Sequence, residues 1–526
     1  MQTKLDEFIH RALNGSAIAL MVLAPFAVNA EPVERIERGN LVIEGIPEIP
    51  GEIESELMRY ENTRGASFSG WLPGDQGILI STRFGETNQV HHVATPGGAR
   101  RQLTFFDEPV NGAAISSNPD VGGFLYARDA GGSEFFQIYF QNLATGDSKL
   151  LTDGKSRNGG ANWSHAGDSL AYFTTRRNGI DWDLHVYDVA SGEDRPVLDA
   201  GGVWFPIAWS PDDRWLAATR YVSANEAYPH LLEVETGKLT ALSPADRKIA
   251  FGAMDFSADG RGIYFVSDED SDFQHLRYRD LESGETQVLT EHIPWNVSNF
   301  DITSDGEHLA FITNEDGIGK LRVVDTATFT ERAIPALPIG QVFSLEFSHD
   351  SKRLGFVLNT SNSPSDVYSF DLEKPELTRW TYAEIGGLPS DEFIEPTLVR
   401  YDTFDTAETK RQIPAFYYKP KGEGPFPVLI RIHGGPEGQA RPTFNAQIQY
   451  LLREHGIAAL VPNVRGSAGY GKEYLLLDNG YQREDSVKDI GALLDWIAKQ
   501  PELDADRVAV IGGSYGGYMV LASMTH

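Results

Sequence analysis

Six residues, Gly512-Gly513-Ser514-Tyr515-Gly516-Gly517, have the types and the spacing to present a nucleophile. They follow a short apolar run at 507–511 and precede a helix-compatible run at 518–524. A Gly-x-Ser-x-Gly run between a strand and a helix is a nucleophile elbow, whose strained turn lifts the serine hydroxyl above the sheet. The glycines permit that turn, and they let the first N–H groups of the helix face a developing oxyanion. A glycine-rich phosphate turn would need the lysine of a P-loop, and none is present.

Two further glycine-rich turns have a part in the same chemistry. Arg431-Ile432-His433-Gly434-Gly435-Pro436 closes an apolar strand 81 residues before the serine. A His-Gly-Gly turn at a strand end can aim a main-chain N–H at a substrate carbonyl. His433 sits at that strand end ahead of the nucleophile, so it is assigned an architectural role and not that of a base. Asn463-Val464-Arg465-Gly466-Ser467-Ala468-Gly469-Tyr470-Gly471 follows another strand. It is read as shaping the pocket, with Arg465 and Tyr470 joining His433 and Gly434 in that role.

The elements that must hold these turns alternate between strand and helix. Strands are expected at 397–404 and 413–419, which read as an antiparallel pair, and at 427–433, 457–461 and 507–511. A helix is expected at 486–499, where Val487, Ile490, Leu493, Leu494 and Ile497 recur at helical spacing. Apolar strands alternating with helices argue an open, mostly parallel α/β sheet.

Upstream the rhythm is different. An aromatic or aliphatic residue, a Ser or Thr, a turn rich in Asp and Gly, and then an apolar strand recur from Trp71, Ile115, Trp163, Trp209, Phe256, Ile302 and Phe347. The Trp71 copy lacks the Ser or Thr. The gaps are 44, 48, 46, 47, 46 and 45 residues. About 20 residues after each comes an alternating strand, a tight turn and another strand, as in 184–198 and 276–290. In 276–280 the alternation places Leu276, Tyr278 and Asp280 on one face and Arg277 and Arg279 on the other, as in a half-buried strand. Two hairpins per repeat make a four-stranded blade, and seven blades close into a propeller. Two stacked β-sandwiches would not keep so constant a period. His91, His92, His165, His185 and His275 lie here without any recurring metal-ligand spacing, so no metal site is expected.

The chain of 526 residues has 45 Lys+Arg against 75 Asp+Glu, a formal charge of −30. Such a field repels a nucleic-acid backbone, so no nucleic-acid partner is expected. With no cysteine, disulfides, thiolate metal sites and a cysteine nucleophile are excluded. Lys4 and Arg11, an apolar run from Ala17 to Val28 and the small-residue pattern ending at Ala30 describe an export signal over residues 1–30. The mature protein is then expected to be periplasmic or secreted, with no membrane association after cleavage.

With these motifs in this order, the chain resembles the prolyl oligopeptidase family of serine peptidases, in its acylaminoacyl-peptidase-like branch. The resemblance rests on HGGP (433–436), NVRGSAGYG (463–471), GGSYGG (512–517) and the seven repeats. It implies a seven-bladed β-propeller followed by an α/β-hydrolase domain, a short peptide as substrate and no cofactor. It also implies Ser514 as nucleophile, with the N–H groups of Gly435 and Tyr515 as oxyanion hole. His433 stands where the prolyl oligopeptidase and dipeptidyl peptidase branch has tyrosine, which sets proline preference apart from the other implications. The expected division is an N-terminal segment at 31–65, the propeller at 66–383 and the hydrolase part at 384–526. An α/β-hydrolase orders its triad as Ser, Asp or Glu, then His. Only twelve residues follow Ser514, without Asp or Glu, and His526 would point away along the same helix. The hydrolase domain is therefore read as incomplete and the chain as inactive alone. The alternative is a non-enzymatic propeller binding protein with a vestigial hydrolase segment.

Overall fold

The computed structural model describes residues 34–526, and the expected export signal lies outside them. Two compact units are resolved. The first, Met1–Ser55, contains in its described part a hairpin of Arg35–Arg38 on Leu41–Glu44. The second, Glu56–His526, holds both the propeller and the α/β sheet. Among the described residues no helix is long and apolar enough to cross a membrane.

Seven antiparallel sheets follow one another at 67–102, 111–150, 158–198, 203–241, 251–288, 296–325 and 341–379. The repeat signal marks a hairpin in each: Trp71 pairs with Ile78, Ile115 with Phe124, Trp163 with Leu170 and Trp209 with Leu216. Phe256 pairs with Ile263, Ile302 with Leu309 and Phe347 with Leu354. The hydroxyl after the anchor is buried and donates to the Asp two residues on: Ser210 to Asp212 (2.6 Å), Ser257 to Asp259 (2.7 Å), Thr303 to Asp305 (2.6 Å) and Ser348 to Asp350 (2.6 Å). A buried hydroxyl needs such a partner, which is why the Ser-x-Asp pattern recurs.

Anchor tryptophans also tie blade to blade. Trp163 Nε1 donates to Ala114 O (3.1 Å) and Trp209 Nε1 to Asn162 O (3.4 Å), each on the preceding blade. Trp71 Nε1 makes the same bond to Glu346 O (3.1 Å), which joins the first blade to the seventh. Phe68, Trp71, Ile80, Val357, Val367 and Trp380 fill the junction.

Two details depart from the expected blade. The sixth has three strands, because Pro335 and Pro338 in the segment that would form the fourth have no N–H to give a ladder. In the fifth, Arg277 is buried along with Leu276, so the first half of that strand is covered on both faces and is not half-buried.

The second sheet has the strand order Thr397–Asp402, Gln412–Tyr418, Ala458–Pro462, Phe426–Ile432, Leu503–Gly512. The first two pairings are antiparallel and the last two parallel, so the sheet is mixed and not mostly parallel. The antiparallel pair expected at 397–404 and 413–419 is present as Thr397–Asp402 on Gln412–Tyr418. Helix Asp485–Ile497 and helix Tyr515–Ser523 cover one face with Val487, Ile490, Leu493, Ile497 and Met519. Helix Ala446–Glu454, capped by Asn445 Oδ1 accepting from Ile448 N (2.9 Å), covers the other with Ile448 and Leu452. Leu503–Gly512 is an edge strand here, and Ile511 on it is 48% exposed.

Candidate active site

The parallel strands Phe426–Ile432 and Leu503–Gly512 lie side by side, with Ile432 opposite Gly512. Both glycine turns therefore leave the sheet at the same end. Ser514 takes φ 54° and ψ −122°, a backbone state seldom open to a residue with a side chain, and helix Tyr515–Ser523 starts at once behind it. The crowding explains the glycines. A Cβ on Gly512 would lie 2.5 Å from the Gly516 carbonyl carbon, and one on Gly516 would lie 2.3 Å from Ile432 O. Gly434 faces the serine directly, since a Cβ there would sit 3.4 Å from Ser514 Cβ and 3.9 Å from its Oγ.

The amide N–H groups of Gly435 and Tyr515 have no acceptor among the described residues. Gly435 has φ 132°, which only glycine adopts readily. The Tyr515 side chain turns away from the serine. Its hydroxyl meets Ser486 Oγ (2.6 Å) and donates to Asp478 Oδ2 (3.2 Å), and Arg483 holds the same Asp478 oxygen (2.8 Å).

His433 is not placed as a base. Its Nδ1 meets Gly434 O (2.7 Å) and its Nε2 meets the buried Ser467 Oγ (2.8 Å). Burial holds the imidazole below its ordinary value, so it is neutral at pH 7. Ser467 Oγ in turn donates its one proton to Val464 O (2.6 Å), within the same loop. The ring thus ties the His-Gly-Gly turn to the loop 463–471. Among the described residues it is the one imidazole lining the cavity at Ser514, whereas His526 lines a different cavity with Asp402 and Ser523.

That cavity, about 660 Å³, is bounded by Ser514, His433, Gly434, Arg431 and Arg441 among others. Arg465 and Tyr470 do not line it and act on the loop 463–471 behind it. Arg465 is 3% exposed and bonds Asp489 through Nη2 (2.7 Å) and Nε (3.0 Å), and Asp405 through Nη2 (3.2 Å). It pins the loop from behind. The Tyr470 hydroxyl accepts from Asn463 Nδ2 (3.1 Å), and its ring meets Trp295 of the propeller edge-on (6.3 Å). Burial pushes that hydroxyl up to about 12.

The propeller faces this end of the sheet. Asn314 donates to Gln439 (2.7 Å), Arg441 to Gln341 (2.8 Å), Arg400 to Asp316 (2.6 Å) and the Glu473 N–H to Asp272 (2.7 Å). Sequence reasoning missed Arg441, Gln439 and Gln341, none of which lies in a recurring motif.

Comparison with known proteins places this architecture. The sequence profile of the prolyl oligopeptidase N-terminal β-propeller domain matches residues 110–383, and that of the prolyl oligopeptidase family matches 442–526. The chain belongs to the prolyl oligopeptidase family. This family member is 24% identical over 435 residues to dipeptidyl aminopeptidase BIII of Pseudoxanthomonas mexicana, a match covering 78% of the chain and 60% of the relative. It therefore spans about 60% of that relative's length. Acylamino-acid-releasing enzyme 1 of Oryza sativa subsp. japonica is 36% identical over 93 residues, 18% of the chain and 12% of the relative. A solved prolyl endopeptidase superposes with a TM-score of 0.78 at 17% identity, over 91% of the chain and 73% of that structure, and so shares the fold.

Proposed function

We propose that this chain, with a propeller at 66–383 and a catalytic part at 384–526, serves a serine peptidase that cleaves short peptides, of the oligopeptidase or acylaminoacyl type. The export signal at 1–30 and a periplasmic or secreted location belong to the same reading. The observation that carries it is the Ser514 backbone, held at φ 54° and ψ −122° beside two unpartnered N–H groups. In the reaction Ser514 Oγ attacks the peptide carbonyl and forms an acyl-enzyme. The carbonyl oxygen becomes an oxyanion, held by the Tyr515 and Gly435 N–H groups, and the amine leaves. The 36% identity with an acylamino-acid-releasing enzyme, together with His433, supports the acylaminoacyl branch.

Attack also needs a base for the hydroxyl proton. No imidazole or carboxylate among the described residues bonds to Ser514, so the 526-residue polypeptide alone should not turn over. Labelling with a fluorophosphonate tests both halves of the reading. Slow labelling is expected, at least about a thousandfold below a serine peptidase with a full triad, and lost in Ser514→Ala. Fast stoichiometric labelling would refute the predicted inactivity. Equal labelling of wild type and Ser514→Ala would refute the role of Ser514 and favour a binding protein.

A further inference from the structure

The charge of the cavity at Ser514 opposes that of the chain. In a protein with 75 acidic against 45 basic residues, the lining includes Arg431 and Arg441 and, among the described residues, no Asp or Glu. Arg441 is the better placed of the two to bind. Its Nε donates to Gln439 Oε1 (2.9 Å) and its Nη1 to Gln341 Oε1 (2.8 Å). Both partners are neutral amides, each anchored elsewhere: Gln439 accepts from Asn314 (2.7 Å) and Gln341 donates to the carbonyls of Gly317 and Gly340. Two fixed acceptors orient the guanidinium plane, and Nη2 has no bond to any of the described residues. No carboxylate among the described residues lies within 4.0 Å of Arg441 or Arg431. Glu61 reaches the rim through Gln447 Nε2 (3.2 Å) but bonds to neither arginine.

The half-buried guanidinium is only partly hydrated, and its charge has no anion beside it among the described residues. Burial holds the Arg441 group below its ordinary value, in keeping with that missing partner. A planar cation held in one orientation suits a carboxylate, which can take two parallel N–H donors.

We propose that Arg441 binds a carboxylate of the substrate, so that the site takes short peptides by an anionic group placed in the Ser514 cavity. This rests on the peptidase reading but can fail separately from it. The carboxylate is either the free C-terminus of the peptide or an acidic side chain.

Binding of three N-acetylated, fluorescently labelled tripeptides to the full chain tests the proposal: a free acid, its C-terminal amide, and an amide with one aspartate. The free acid should bind wild type about tenfold or more tighter than the amide. Arg441→Gln should bring the free acid to the level of the amide, while Arg441→Lys, which keeps the charge but not the planar fork, should keep part of the preference. If the aspartyl amide matches the free acid, an acidic side chain serves as well as a terminus; if it matches the plain amide, the terminus is the source. Ser514→Ala should keep the preference in full, so a failed labelling experiment leaves this result standing. Equal binding of acid and amide to wild type overturns the proposal with no variant needed. So does an unchanged preference in Arg441→Gln with a wild-type melting curve, or the absence of binding by all three.

Discussion

At the scale of single residues, the elbow is a steric arrangement before it is a chemical one. Holding Ser514 in its positive-φ state costs on the order of 1–3 kcal/mol, and it persists because its neighbours leave no other path. Gly516 and Gly434 separate the two demands. A methyl at Gly516 would meet the Ile432 carbonyl at 2.3 Å, and backbone on a central strand cannot yield. Gly516→Ala should therefore lower stability by about 2 kcal/mol or more in chemical denaturation. A methyl at Gly434 meets the serine only at ordinary contact distance. Gly434→Ala should melt like wild type yet label with fluorophosphonate about tenfold more slowly. The reverse pattern would mean the two glycines had been assigned the wrong way round. Ser514 and its glycines could be read in sequence because sterics fix their spacing along a few residues. Arg441 could not, since its importance lies in a missing partner and in Gln341, 100 residues away.

Between elements, Arg465 makes a tie of several bonds. It joins the loop 463–471 to helix Asp485–Ile497 through Asp489, and to the end of strand Thr397–Asp402 through Thr403 and Asp405, with its guanidinium 4.2 Å from the Phe404 ring. Burial pushes the fully enclosed Asp489 carboxyl above the ordinary carboxylate range, against the opposing pull of Arg465. Arg465→Met would strand that carboxylate and should cost about 3–5 kcal/mol, while Arg465→Met with Asp489→Leu should recover much of the loss. A double-mutant cycle in denaturant measures this; additive effects would show that the pair is not coupled. The glycine-rich spelling of the loop announced a pocket wall. The helical spacing around Asp489 announced an apolar face, and neither revealed that one charge would bury the other. Helix Ala446–Glu454 escaped for a related reason. Its buried set, Ile448, Gln449, Tyr450 and Leu452, includes a glutamine that serves backbone groups at Ser361 and Ile394, so its apolar stripe is broken.

For the molecule as a whole, the repeat fixes more than the number of blades. The position before each anchor is occupied by Gly70, Ala114, Asn162, Ala208, Asp255, Asp301 and Glu346, so three carboxyl groups fall on consecutive blades at one level of the ring. Asp301 accepts from Phe347 N (2.6 Å) on the next blade, and Glu346 accepts from Trp71 N (3.2 Å) across the closing junction. The register was legible from the period, whereas the junction needed the fold, because Trp71 and Glu346 are 275 residues apart. Burial pushes Glu346 up to about 7 and Asp255 up to about 6, and raises Asp301 as well; the N–H each accepts from opposes the shift. A raised folded value means that the folded ring keeps protons that the unfolded chain has released. Its stability is therefore greatest below the unfolded carboxyl range, near 4.5 for Glu346, and falls as pH rises toward about 7. Glu346→Gln keeps an acceptor for Trp71 N and removes one titrating group. Since Glu346 retains some solvent exposure, its share is on the order of 2 kcal/mol and not the full shift. At fixed ionic strength, wild type and Glu346→Gln should melt together at about pH 4, with the variant clearly more stable at about pH 8. Parallel melting curves across that range would place the pH dependence in the general repulsion of a −30 chain and not at the junction that closes the ring.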